Sequence, residues 1–230
     1  MSSKPLAIDL FAGLGGWAEG FLAEGYDCIG FDIERWPYPG QLVLQDVLTL
    51  HGSRFKDAMV IIASPPCQAY SYRAMPWKRA KALPPPDNTL FDACFRIQRE
   101  ASEAAGHKIP LIVENVRGAQ PWVGRAKWHY GSYFLWGDVP ALMPMTQQMI
   151  DATKNDGGSW FAVAHNTISG HSKNPVRDGY KNARNWWSDG KGNLSDTTSS
   201  HSNARKQASA LIAKIPFPLA RHIAAVYKGF

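Results

Sequence analysis

A mostly parallel, doubly wound α/β sheet is the architecture this sequence predicts, on three observations. Short, β-branched apolar segments recur from Pro5 to Val113, each too short for a helix. Stretches with helical spacing alternate with them, as in strand–helix–strand units. Gly13, Asp32, Asp46, Cys67 and Glu114 stand where the apolar segments end, and in open α/β sheets ligands bind at the carboxyl ends of strands.

Taken in order, Pro5 to Phe11 reads as the first strand, Ala12-Gly13-Leu14-Gly15-Gly16 as a glycine turn, and Trp17 to Glu24 as a helix. Glycines let the backbone come close to a ligand, and the helix N-terminus beyond them presents N–H groups. Tyr26 to Phe31 is a second strand ending in Asp32, with Glu34 just beyond. An acidic residue there is the expected partner for the ribose hydroxyls of a nucleoside-bearing cofactor. Val43 to Val47 is a third strand, whose Asp46 either accepts from an adenine amino group or caps the next turn. Met59 to Ala63 is a fourth, bounded by Asp57 and by Pro65-Pro66. Asn88 is placed to cap a helix running through Phe91, Phe95, Ile97 and Ala101 to a terminating Gly106. Ile109 to Val113 is a fifth strand leading into Glu114-Asn115-Val116, and Trp128 to Trp136 a sixth. Ala208 to Tyr227, broken at Pro216-Phe217-Pro218, closes the chain as helix, turn and helix.

Three parts are expected: a catalytic and cofactor-binding domain over residues 1–149, a short polar insertion over 150–207, and a C-terminal segment over 208–230 that returns to the first domain. The insertion is rich in Gly, Ser, Asn and Thr and has little to bury. A chain of 230 residues with 45% hydrophobic residues supports a core of its own. With no run of eighteen or more apolar residues and no secretory signal after Met1, neither a membrane partner nor secretion is expected, and a cytoplasmic setting is. The net charge of +6 favours a polyanionic partner. Three irregularly spaced cysteines suit neither a disulfide framework nor a structural zinc site. His165, His171 and His201 also lack ligand spacing, so no metal is expected.

Cys28 and Cys94 lie in apolar or helical segments and read as small hydrophobes. Cys67 differs, because Pro65-Pro66 fixes the direction of the chain just before it and polar Gln68 and Ser71 follow. That is the setting of a nucleophile. Glu114 emerges from a hydrophobic strand, so desolvation is expected to raise its pKa and let it hold or donate a proton. Tyr72 to Pro86 reads as a long loop beside the thiol. It carries Arg73, Lys78, Arg79 and Lys81 around Trp77, a composition suited to closing over a phosphate backbone, and Gln68 and Ser71 just before it are candidates to contact the same partner from the surface. In the insertion, Arg177, Lys181 and Arg184 lie near Tyr180, Trp186 and Trp187 and suit the same partner.

DLFAGLGG at Asp9 to Gly16, PPCQ at Pro65 to Gln68 and ENV at Glu114 to Val116 resemble, in order and spacing, the motifs of the cytosine carbon-5 methyltransferases that act on DNA. The likeness spans Ala7 to Val116, and Leu211 to Tyr227 resembles a degraded form of the family's C-terminal motif. The resemblance implies a Rossmann-like fold of the S-adenosylmethionine-dependent type. It implies cofactor contacts from Asp9, Phe11, Gly13, Leu14, Gly15 and Gly16, with Asp32 on the ribose. Ile33 would lie against the adenine, Asp46 on its amino group, and Pro66 and Leu90 along the pocket. Cys67 would add to cytosine carbon 6 while Glu114 bonds ring nitrogen 3, and Asn115 would orient the loop beside it. The base would have to be flipped out of double-stranded DNA, at a cost of a few kcal/mol.

Two departures qualify the likeness. Where the family has Gln-x-Arg-x-Arg, the nearest stretch is Val123-Gly124-Arg125-Ala126-Lys127, which leaves Arg125 and Lys127 as the candidates for positioning the base. In the C-terminal motif, Ala213-Lys214 replaces the expected Asn-Ser pair, which would remove contacts to the cofactor. The compact form would suit a phage-borne or solitary enzyme. RNA or a free nucleotide as substrate, and a non-catalytic nucleic-acid-binding module of the same fold, are the rival readings.

Overall fold

The computed structural model describes residues 3–73, 78, 82–141, 143 and 213–229, with Tyr72 and Arg73 as backbone alone. Apart from Ala213 and Lys214, these residues belong to a unit built of Met1–Thr146 and Ile215–Phe230. Its sheet comprises β1 (Leu6–Leu10), β2 (Asp27–Asp32), β3 (Gln41–Leu44), β4 (Val60–Ala63), β5 (Leu111–Asn115), β6 (Trp128–Tyr130) and β7 (Tyr133–Gly137). Their order is β3-β2-β1-β4-β5-β7-β6. The first five in this row pair in parallel, and β7 and β6 continue the sheet antiparallel.

Helices α1 (Gly16–Ala23), α2 (Gln68–Arg73), α3 (Thr89–Ala105), α4 (Gln120–Val123) and α5 (Phe217–Lys228) connect or cover the strands. All four β4 residues are buried, the continuous apolar pattern of a strand covered on both faces. On one face Ile8, Leu10, Ile61, Ala63, Leu111 and Val113 cluster with Phe91, Cys94, Ile97 and Ala101 of α3. On the other lies α1, and α5 packs upon it. A Cβ on Gly20 would stand 2.4 Å from the Arg221 nitrogen, so glycine inside α1 is what admits α5 at that distance. Tyr26 Oη donates to the Ala224 carbonyl at 3.0 Å, and Arg221 pairs with Glu24 at 2.7 Å.

Several local expectations change. The aromatic run 128–136 is a hairpin rather than one strand: Gly131, at φ +56, turns the chain, and β7 rather than β6 takes the place beside β5. The third strand ends at Leu44, and Asp46 lies beyond it, its Oδ1 accepting from the Leu48 N–H at 2.9 Å to cap a 3₁₀ turn. The fifth strand runs on through Glu114 and Asn115. Asn88 does not cap α3 with its side chain; Asp87 accepts from the Thr89 N–H at 2.8 Å instead. Gly106 does terminate that helix, in the left-handed conformation at φ +74. Helix α2 begins immediately after Cys67, so Gln68, Ser71 and Arg73 are helical rather than in a loop. Arg79, Lys81, Arg177, Lys181, Arg184 and the insertion lie outside the described residues.

Candidate active site

The strand registers assemble the site. Phe31, Leu10, Ala63 and Val113 are direct neighbours across β2, β1, β4 and β5. Asp32, the glycine turn, the Cys67 loop and Glu114 therefore all leave the sheet at one edge, at the carboxyl ends of adjacent strands. Between β1 and β4 the chain reverses its direction of winding, the position at which doubly wound sheets bind ligands. Neighbouring strands lie about 4.8 Å apart, so β1 and β5 are about 10 Å from one another. Side chains alternate between faces along a strand, which puts Asp9 and Glu114 on the same face, opposite to that of Leu10 and Val113.

The turn after β1 is tight. Phe11 has φ +61, rare for a residue with a side chain, and Gly13 and Gly15 have φ +49 and +72. The Gly13 N–H donates to Asp32 Oδ2 and the Glu34 N–H to Asp32 Oδ1, both at 2.9 Å, so the carboxylate joins the turn to the end of β2. Asp9 is buried; Tyr38 Oη donates to its Oδ2 at 3.3 Å, while Oδ1 has no partner. Burial pushes the Asp9 carboxyl well above the usual carboxylate range; the Tyr38 hydrogen bond opposes that shift and nearby Asp32 adds to it. Leu14 and Leu90 are half-buried, Gly15 and Gly16 buried, and Pro66 exposed. Ile33 is 73% exposed, the most exposed large apolar side chain described.

Cys67 is half-buried at the entrance of α2, its carbonyl accepting from the N–H groups of Tyr70 and Ser71 at 3.1 and 2.9 Å. The loop carrying it is tied on both sides. Trp17 Nε1 of α1 donates to Ser64 Oγ at 3.0 Å, and Asn115 Nδ2 of β5 donates to the Pro65 carbonyl at 2.9 Å. The other amide atom of Asn115 accepts from the Val116 N–H at 2.9 Å. Asn115 thus ties the loop that carries Cys67 to β5. Glu114 is buried beside it, opposite Leu135 of β7. Burial raises the Tyr133 phenol far above its ordinary value, and the charge of Glu114 adds to the shift.

A second set of contacts holds the next shell. Tyr70 Oη donates to Asn88 Oδ1 at 2.9 Å, and Asn88 Nδ2 donates to the Trp122 carbonyl at 3.1 Å, linking α2, the start of α3 and α4. Trp136 Nε1 donates to the Gly124 carbonyl at 2.9 Å, and the Lys127 N–H to the Leu135 carbonyl at 2.9 Å. Arg125 and Lys127 are exposed on this anchored segment, two strands from Glu114. Gln68 and Lys78 are exposed, whereas Ser71 is buried with its hydroxyl unpartnered, away from the surface role expected of it. As parts of the site, Tyr38 and Tyr70 carry no expectation from the sequence, and Asn88 only that of a helix cap. Only Tyr38 carried a signal, a Pro37-Tyr38-Pro39-Gly40 run in a connection too short for a helix. Among the described residues no helix is long and apolar enough to cross a membrane, and no group of His, Cys, Asp and Glu could hold a metal ion.

Comparison with known proteins places these motifs. A family model described as C-5 cytosine-specific DNA methylase matches residues 6–121. No curated protein matches the chain. Among solved structures, the Entamoeba histolytica methyltransferase EhMeth shares 15% identity over 54% of this chain and 41% of its own, with a TM-score of 0.38. A Spodoptera frugiperda DNMT2 mutant shares 20% over 52% and 38%, with a TM-score of 0.36. A prophage-encoded Escherichia coli protein, provisionally named a DNA modification methyltransferase, shares 22% over 67% and 54%, with a TM-score of 0.42. The chain thus spans about half or less of the length of these structures.

Proposed function

We propose that this chain, which belongs to the C-5 cytosine-specific DNA methylase family, methylates carbon 5 of cytosine in double-stranded DNA through a covalent adduct of Cys67. The observation that carries the reading is the Asn115 to Pro65 hydrogen bond, 2.9 Å long, which couples the strand bearing Glu114 to the loop bearing Cys67. S-adenosylmethionine, when bound, supplies a methyl group on a sulfonium centre that carbon 5 can attack. The residues present suit that cofactor. Asp9 Oδ1 is a buried carboxylate oxygen without a partner, where a cationic amino group would find one. A Cβ on Gly13 would meet nothing nearer than the Phe11 carbonyl at 4.0 Å, which leaves room beside the turn. Exposed Ile33 next to Asp32 offers an apolar surface for an adenine beside a carboxylate for a ribose.

In this reading the Cys67 thiolate adds to carbon 6 of a flipped cytosine. Glu114 bonds ring nitrogen 3 and stabilises the charge pushed into the ring. Carbon 5 would take the methyl group as the methyl–sulfur bond breaks to leave S-adenosylhomocysteine; loss of the carbon-5 proton to a base with breaking of the Cys67–carbon 6 bond then restores the aromatic ring and the thiolate. Arg125 and Lys127 contact the base or its phosphates, and residues 150–207 serve as the target-recognition insertion between 1–149 and 208–230. The test is transfer of tritiated methyl from S-adenosylmethionine to unmethylated duplex DNA, with bisulfite sequencing of the product. Label on cytosines in one short context is expected. Label on RNA or a cytidine nucleotide alone, or none with folded protein, would sink the DNA assignment.

A further inference from the structure

The connection from β2 to β3 is residues 33–40 alone and contains no helix among the elements described, whereas parallel strands are ordinarily joined by about a dozen residues or more, usually with a helix. The ring of Tyr38 fills part of the space thereby left on the α1 face of the sheet. Gly30 is the direct neighbour of Asp9 across β1 and β2. A Cβ there would lie 2.7 Å from both Tyr38 Cζ and Ala12 Cβ, and one on Gly15 would lie 2.9 Å from Tyr38 Cδ2 and 2.3 Å from Pro39 Cδ. Both glycines are thus what let the ring reach the turn, and the only side-chain partner of Asp9 among the described residues is the Tyr38 hydroxyl, at 3.3 Å.

We propose that Tyr38 is a positioning residue of the cofactor site, binding Oδ2 of Asp9 so that Oδ1 is the oxygen left to accept from the cationic amino group of the cofactor's amino-acid moiety. The inference rests on the cofactor reading above. A carboxylate buried with one oxygen held and the other unsatisfied is costly in the empty protein and is repaid when a cation enters. The hydroxyl also favours the ionised form of Asp9, against burial and against the charge of Asp32; burial and, after it, the charge of Asp9 raise the nearby Cys28 thiol to about 12. Without the hydroxyl, Asp9 takes up its proton at higher pH, and a protonated Asp9 no longer attracts an ammonium group.

Calorimetric titration of the full chain with S-adenosylhomocysteine, at a series of pH values, tests this. Tyr38→Phe keeps the ring and removes the donor. It should weaken binding about tenfold at neutral pH, and the pH at which binding is lost should move upward. Asp9→Asn should bind weakly with no such pH dependence. Melting curves of each variant, read beside the titrations, separate loss of the Tyr38 contact from failure to fold. A Tyr38→Phe protein with the parent's affinity and pH profile overturns this inference while leaving the cofactor reading intact. A folded parent that does not bind the ligand overturns both.

Discussion

The two ends of the site are held by different chemistry. On the β1 and β2 side the ties are carboxylates: Asp32 bridges the glycine turn and the segment after β2, and Asp9 lies buried with one oxygen unpartnered. On the β4 and β5 side they are neutral, running from the side chains of Trp17, Asn115, Asn88 and Trp136 to a hydroxyl or backbone carbonyls. Oδ1 of Asp9 leaves the first arrangement open, and burial raises that carboxyl. The ties of the second run between groups that carry no charge near neutral pH. On the function proposed above, the first would admit a charged cofactor while the second holds Cys67 in one direction.

The comparison can be broken most severely at the nucleophile. Cys67→Ser should abolish methyl transfer while cofactor binding, read by calorimetry, is unchanged; surviving transfer would remove Cys67 from its role. Glu114→Gln should slow single-turnover transfer about a hundredfold or more, the low end of what a positioned acid or base contributes, and full activity would remove that role. Asn115→Ala leaves the Pro65 carbonyl buried without its donor, so chemical denaturation should register a loss of about 1–3 kcal/mol. Its kcat should fall while the cofactor KM stays within about twofold, and an equal change in both would place Asn115 on the cofactor side as well.

A pH experiment sharpens the other half. Because burial raises the Asp9 carboxyl well above its ordinary 3.8, the folded state keeps a proton that the unfolded chain has released. The cofactor-free protein should therefore lose stability as pH rises from 3.8 towards the folded value. Melting temperatures of the parent and of Asp9→Asn across that range check it, since the variant should lack this slope. Smallest of all, Asp46→Ala removes an exposed cap and should cost about 1 kcal/mol; a much larger loss of cofactor affinity than of stability would favour the adenine contact over the cap.

The architecture was legible because burial on both faces writes itself into a strand as a short unbroken apolar run, as in Val60-Ile61-Ile62-Ala63. Cys67 stood out because two prolines before a thiol fix the chain's direction there, and its role is the proposal made above. The hairpin at Gly131 did not stand out, since Trp128 to Trp136 is mostly aromatic and only one glycine marks the turn. Asn88 was misread for a related reason: Asp87 and Asn88 are both good caps, and which one turns to the helix depends on whether Tyr70 and Trp122 claim the other.

From the order of residues alone came most of the strands, the glycine turn, the acidic residue closing the second strand, and the candidacy of Cys67 and Glu114, because each is set by local periodicity or by motif spacing. Only the tertiary structure decided that Asn115 holds the Pro65 carbonyl and that Tyr38 reaches Asp9. These are contacts between residues 50 and 29 positions apart. They exist because parallel pairing brings the ends of β1, β2, β4 and β5 into one row, and no short-range pattern in a sequence records which side chains will meet once strands are paired.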